Sequence, residues 1–335
     1  MPKERIEADI ENRLGEMAIR SEDIGHRADE LVHCEACGRT NAPDRPACIY
    51  CGSGLDKGAT VVEGLSLNLR RLENWENGHN VVCRTPPGAN VSAAIARLFG
   101  IGPEIGKGLL ASGSIVPAAR MESERDAKAA VDHLVRLGAD MTVIGDVRLK
   151  MGKPNIRLRA LEFSKEMIKA TEFNTGEQRA FQEGEVALIV VGSLFESRTD
   201  LITKRKKNTE NILDQSTVTS DDMVVDLYNA EDERGWRIST RGFDFSGLGE
   251  AKASTARENI ERLIDKLQMF FPEARFSNDY KKIVGPLSEV WPLDERVDHE
   301  GLKRIGIWKS GFARSTRLGN LDQFQRFSRL QRIAG

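Results

Sequence analysis

The sequence has almost no net charge. Its 49 lysines and arginines stand against 51 aspartates and glutamates, leaving −2 at pH 7. No global field draws the chain to nucleic acid or a membrane, so any such contact must come from a local cluster. It lacks an apolar run near the roughly 20 residues a membrane span needs. The longest, VALIVVGSLF at 186–195, reads as a buried strand. The opening MPKERIEADI is charged and has no apolar h-region, so no secretory leader is expected. Repeats and low-complexity tracts are also missing. These absences predict a cytoplasmic, reducing setting, where cysteines are poor candidates for structural disulfides. The few histidines (His26, His33, His79, His133 and His299) are scattered and pair with no nucleophile. GFDFSG at 242–247 lacks the nucleophile-elbow pattern. The acids Asp221, Asp222, Glu231, Asp232 and Glu233 flank turns and read as solvated, so no catalytic residue is nominated.

What is present is more specific. The stretch CEACGRTNAPDRPACIYCG, residues 34–52, holds four of the five cysteines as two Cys-x-x-Cys pairs. Two intervening residues let both sulfurs of a pair bind one ion in a tight turn, and Gly38 and Gly52 can relax those turns. Ten residues separate Cys37 from Cys48, enough for a hairpin with Pro43 and Pro46 at its tip. Disulfide, redox and iron uses are the alternatives to a structural zinc ion. The block resembles the zinc ribbon family, which implies zinc on Cys34, Cys37, Cys48 and Cys51. With cysteine at all four positions, no vertex remains for a catalytic water. Cys83, on a predicted strand, reads as a core residue.

Residues 78–146 alternate strand, two short helices, strand, long helix and strand, a small α/β unit. Ser123 reads as the N-cap of the long helix and Gly138 as its end. Gly88, Asn90 and Ile95, the turn and helix Gly100-Ile101-Gly102 to Gly106, Lys107 and Leu109, and the closing LVRLGA resemble the C-terminal domain of the bacterial ribosomal stalk protein. In that family the glycine turn and following helix dock translation GTPases; carried over, Gly102, Lys107 and Leu110 would form the partner-binding face. Here Pro103, Gly106 and Gly108 replace good helix formers. GIGPEIGKG is not a phosphate loop, because Gly108 stands where the Ser/Thr magnesium ligand belongs.

Strands and hairpins over 185–247 are followed by a helix with a Thr255–Glu258 capping box, stopped by Pro272. Its apolar residues Ile260, Leu263, Ile264, Leu267, Phe270 and Phe271 share one face. This architecture loosely resembles pleckstrin-homology-like domains, which implies anionic head-group binding by Lys204, Arg205, Lys206 and Lys207. Residues 301–335 carry eight Lys/Arg and one acid, Asp322, interleaved with aromatics. A basic amphipathic segment of this kind, with Arg326, Arg329 and Arg332, can meet an anionic membrane or RNA, or fold back on the chain.

The expectation is a multidomain α+β chain: an N-terminal helix (1–31) whose narrow apolar stripe allows self-association, a zinc ribbon (32–55), a linker (56–77), the stalk-like α/β domain (78–146) and a second linker (147–184). A β-rich domain closed by a C-terminal helix (185–273) and a basic aromatic tail (274–335) complete it. The function expected is a non-catalytic zinc adaptor or assembly protein, cytoplasmic or membrane-peripheral, acting through protein–protein contacts. The alternatives are a ribosome- or RNA-associated factor and an enzyme with structural zinc.

Overall fold

A computed structural model describes residues 31–34, 36–42, 45, 47–53, 60–62, 65–110, 113–206, 209–231, 234–306 and 309–335. The helix expected over 1–31 lies outside them but for Leu31, as do Lys207 and Trp308. The chain divides into two compact units, Met1–Thr60 and Val61–Gly335. In the first, β1 (Val32–His33) pairs antiparallel with β2 (Thr40–Asn41). A short ladder of β3 (Thr60–Val62) and β4 (Leu65–Leu67) follows.

The second unit opens with the α/β module. Its elements are β5 (His79–Cys83), α1 (Ala89–Phe99), α2 (Pro103–Leu110), β6 (Val116–Met121), α3 (Glu124–Arg136), β7 (Met141–Gly145) and the short α4 (Asp146–Leu149). β5 is central and antiparallel to both neighbours. Ser123 caps α3 by accepting the Asp126 N–H at 3.3 Å, and Ala127, Ala130, Val131 and Leu134 turn inward from that helix.

From Ile156 onward a nine-stranded sheet forms, and its first three strands stand where a linker was expected. Its strands are β8 (Ile156–Phe163), β9 (Met167–Glu172), β10 (Gln178–Gln182), β11 (Leu188–Lys206), β12 (Thr209–Tyr228), β13 (Trp236–Ser239), β14 (Arg275–Ser277), β15 (Asp294–Gly306) and β16 (Lys309–Gly319). The order is β10-β9-β8-β13-β12-β11-β16-β15, with β14 parallel to the start of β11. A 3₁₀ turn (Phe245–Ala251), α5 (Ala256–Phe270), α6 (Tyr280–Leu287) and α7 (Leu321–Ala334) cover it. The α5 capping box forms, with Thr255 accepting the Glu258 N–H at 3.2 Å.

The centre of this sheet is buried on both faces, which is why its strands read as continuous apolar runs. Leu188 and Val190 of β11, with Val224 and Tyr228 of β12, belong to a core shared with α6, α7 and the α/β module. Ile189, Val191, Val225 and Leu227 point the other way, into a core with Trp236 and α5.

The expected basic tail is therefore corrected. Residues 274–335 supply three strands and two helices, and α7 is buried continuously from Gln323 to Gln331. Phe324, Phe327 and Leu330 are fully enclosed, worth about 1.5–3 kcal/mol each by area. At the helix start, Asn320 ties the chain to β11, donating to the Ser193 carbonyl at 3.0 Å and accepting the Phe195 N–H at 2.8 Å. The cap for the Asp322 N–H comes instead from Asp294 at 3.0 Å. Burial, with the neighbouring Asp322 carboxylate, pushes the Asp294 carboxyl up to about 6.

Gly192 on β11 is packed against the Phe324 ring, so a Cβ there would overlap it. Gly192→Ala is expected to destabilise the unit by about 1–3 kcal/mol through overpacking, read as a lower urea midpoint at unchanged slope. A second polar cluster ties α7 to the sheet. Asp226 accepts both Arg237 nitrogens at 2.7 and 2.8 Å and the Ser328 hydroxyl at 2.7 Å. Among the described residues no helix is long and apolar enough to cross a membrane.

Candidate metal centre

The two Cys-x-x-Cys segments fold into the same turn twice. In the first, the Cys34 N–H donates to the Arg39 carbonyl at 2.9 Å and the Gly38 N–H to the Cys34 carbonyl at 2.7 Å. In the second, the Cys48 N–H donates to Ser53 at 2.8 Å and the Gly52 N–H to Cys48 at 2.9 Å. Both turns end on a glycine in the left-handed region, Gly38 at φ 69° and Gly52 at φ 73°. A side chain would strain that conformation, so each glycine lets its turn close. The leading cysteine of each pair is buried and the trailing one exposed.

This repetition brings the four sulfurs to within 4.8 Å of one another. The closest approaches run between the turns, Cys34 to Cys51 at 3.5 Å and Cys37 to Cys48 at 3.6 Å. A tetrahedral ion with thiolates at about 2.3 Å has sulfur–sulfur edges of roughly 3.8 Å. A disulfide needs about 2.05 Å, and all four cysteines are free. The four thiols thus stand at metal-binding separation, and the donor set suits a metal that prefers soft ligands.

Electrostatics explain why such a cluster calls for a cation. Burial opposes the Cys48 thiolate, but the Tyr50 and Cys51 amides and the Asn41 side chain outweigh it and bring that thiol down to about 6. At Cys37 the Arg39 amide favours the thiolate. Desolvation and the sulfurs of Cys48, Cys51 and Cys34 overcome it and push that thiol up to about 12. Four negative charges this close cannot coexist without a positive ion among them.

Asn41 supports the ligands, and a search for cysteine spacing could not find it. Buried on β2, it donates to the Cys48 sulfur at 3.4 Å and to the Arg39 carbonyl at 3.0 Å, and accepts the Ile49 N–H at 3.1 Å. One amide side chain therefore links the two turns, as groups behind metal ligands commonly do. His33 is exposed and outside the sulfur cluster. Cys83 sits in the core of the α/β module, its thiol donating to the Thr85 carbonyl at 2.9 Å.

No protein-family model, no curated protein and no solved structure matches this chain.

The other nominated residues do not gather into one site. Gly102 and Lys107 are exposed at the start and middle of α2, but Leu110 is in the core at 3% exposure. The flank of α2 at Gly108 faces Pro286 of α6, so part of the expected docking helix is used inside the chain. Lys204, Arg205 and Lys206 end β11. Arg326 is not an outward anion ligand, because its guanidinium donates to Asp146 at 2.9 Å and to the Asn74 carbonyl at 3.0 Å. Arg329 is enclosed and donates to Asn155 at 2.8 Å and to the Lys153 carbonyl. Arg332 lies over the Tyr228 ring, 5.7 Å from its centroid.

Proposed function

We propose that the chain is a non-catalytic adaptor that holds a structural zinc ion on Cys34, Cys37, Cys48 and Cys51 and acts through protein–protein contacts in the cytoplasm. The observation that carries this reading is the closed set of four sulfurs within 4.8 Å. Cysteine occupies every vertex, whereas a catalytic zinc keeps one for water or substrate. The ion's work is then to hold a segment too short to bury its own core.

The second turn also presents a contact surface. Ile49 and Tyr50, between Cys48 and Cys51, are 55% and 53% exposed on a backbone the metal would fix. Arg39 stacks on Tyr50 at 4.6 Å from the ring centroid. A rigid aliphatic–aromatic pair with an arginine has the composition favoured at interface cores. The stalk-like resemblance adds a second contact surface at Gly102 and Lys107. The pleckstrin-homology-like resemblance adds a basic strand end at Lys204, Arg205 and Lys206 for an anionic membrane.

A nuclease-treated pull-down with the tagged full chain, read by mass spectrometry, tests the adaptor reading. A discrete set of proteins is expected, lost in the Ile49→Ser/Tyr50→Ser variant while its metal content stays unchanged. Capture that vanishes with nuclease alone would favour the RNA-associated alternative. Capture indifferent to both treatments would remove the turn as the contact surface.

A further inference from the structure

A cavity of about 740 Å³ is lined by α5, α6 and the middle stretches of β11 and β12. Part of its lining is apolar. Val191 and Phe195 lie on one face of β11, and Met223 of β12 stands across from Ser193 on that same face. Ile264 of α5, Val284 of α6 and Phe276 of β14 extend this surface. The charge in the lining is unbalanced. Asp221, Asp222, Glu261 and Asp265 stand against only Arg257 and Lys281. Arg257 and Glu261 answer each other along α5 at 3.5 Å. Asp222 accepts the Ser239 and Thr240 hydroxyls, which orient it without neutralising it. The field of Asp222 reaches Arg237, but that guanidinium is already paired through two nitrogens with Asp226. The side chains of Asp221, Asp265 and Lys281 make no hydrogen bond or ion pair among the described residues. Three carboxylates thus share one ammonium, a surplus of two negative charges. Among the described residues only the four cysteines gather closely enough to hold a metal ion. The carboxylates of this cavity are therefore too dispersed for three of them to converge on one cation.

We propose that this cavity binds an aliphatic polyamine. Such a molecule carries two or more ammonium groups separated by methylenes, so its charge is spread out as the carboxylates are. Ammonium groups donate charge-assisted hydrogen bonds to Asp221, Asp222 and Asp265. The methylenes between them cover Val191, Met223 and Ile264 and leave water as they do so. The side-chain carbonyls of Gln268 and Asn278 are further acceptors for N–H groups. The volume falls in the small-molecule range of roughly 300–1,000 Å³. An inorganic divalent ion matches the total charge, but it needs convergent oxygen ligands and gains nothing from the apolar wall. This site is independent of the cysteine cluster and of the adaptor reading.

The test is isothermal titration of spermidine into the metal-loaded full chain, beside the variant Asp221→Asn/Asp265→Asn and a control, Glu104→Gln/Asp132→Asn. Asp221 and Asp265 are exposed, so the amides leave the core intact, and an unchanged thermal midpoint without ligand verifies this. The control removes the same charge from exposed positions on α2 and α3 of the α/β module. Saturable one-to-one binding is expected, weaker by at least about tenfold in the cavity variant and unchanged in the control. Magnesium chloride is expected to displace spermidine no better than sodium chloride of the same ionic strength. Absence of saturable binding, equal affinity in all three proteins, or equal weakening in the control would each overturn the proposal. Displacement by magnesium beyond the effect of ionic strength would overturn it as well, because it would mean that the carboxylates converge on an inorganic ion.

Discussion

Asp146→Ala is expected to destabilise the second unit by about 3–5 kcal/mol, a large share of the 5–15 kcal/mol that holds a typical domain. The Asp146 carboxylate, 4% exposed, is the one acid between two buried guanidiniums. It accepts Arg120 at 2.7 Å and Arg326 at 2.9 Å, the Asn80 amide at 2.9 Å and the Gly78 N–H at 2.9 Å. Asn80 in turn accepts the Trp291 indole N–H at 2.8 Å. Desolvation already draws the Arg326 guanidinium below its usual range, against the pull of Asp146. Removing the carboxylate would leave two desolvated cations facing each other, with four donors short of an acceptor. A thermal or urea melt of the full chain reads the loss. The triple change Arg120→Met/Asp146→Leu/Arg326→Met should recover most of it, because apolar side chains of similar volume often replace a buried ionic triad without cost. An Asp146→Ala loss below about 1 kcal/mol would mean that water reaches the cluster.

The second large effect belongs to the cysteine centre. Cys48→Ser is expected to abolish stoichiometric metal binding and unfold the segment around residues 31–53, leaving the second unit's melt unchanged. Cys48 is buried, approaches Cys37 at 3.6 Å and takes hydrogen bonds from Asn41 and Tyr50 at 3.4 Å. A serine hydroxyl would stay protonated and bind the ion poorly. Structural zinc contributes on the order of 10 kcal/mol to small thiolate domains. Two-residue strands and a buried cluster of Cys34 and Cys48 offer nothing comparable in its place. Hydrogen exchange localises the change: amides of Gly38, Cys48 and Gly52 should lose protection, while those of β5 and β11 keep it. Retained protection at Gly38 and Gly52 would mean the turns stand without metal.

What was legible in the sequence followed how local the cause was. The cysteine turns, the Ser123 and Thr255 caps and the module from β5 to β7 all rest on residues a few positions apart, and they lie where spacing put them. Strand β8 was hidden by a bulge. The register slips between Leu158 and Ala160, so Leu158 and Leu161 are both buried at an interval of three that imitates a helix. Strand β15 is exposed from Glu295 to Glu300, and the residues that β16 buries, Ala313 and Ser315, are small or polar, so neither strand carries an apolar alternation to read. Helix α7 misled for the opposite reason. It is enclosed on nearly every side, and its arginines look like a surface patch until Asp146 and Asn155 are found beside them. Those partners lie 180 and 174 positions away, beyond any pattern within a segment.

The most direct measurement is the metal content of the purified full chain by plasma mass spectrometry, with free thiols counted on the same sample. One zinc per chain, five thiols titrating only after denaturation in chelator, and no visible absorption band are the expected result. Iron at one per chain with a visible thiolate band would replace zinc by the alternative ion. No bound metal, with the four clustered cysteines freely reactive or paired as disulfides, would contradict the metal centre itself and the adaptor reading built on it.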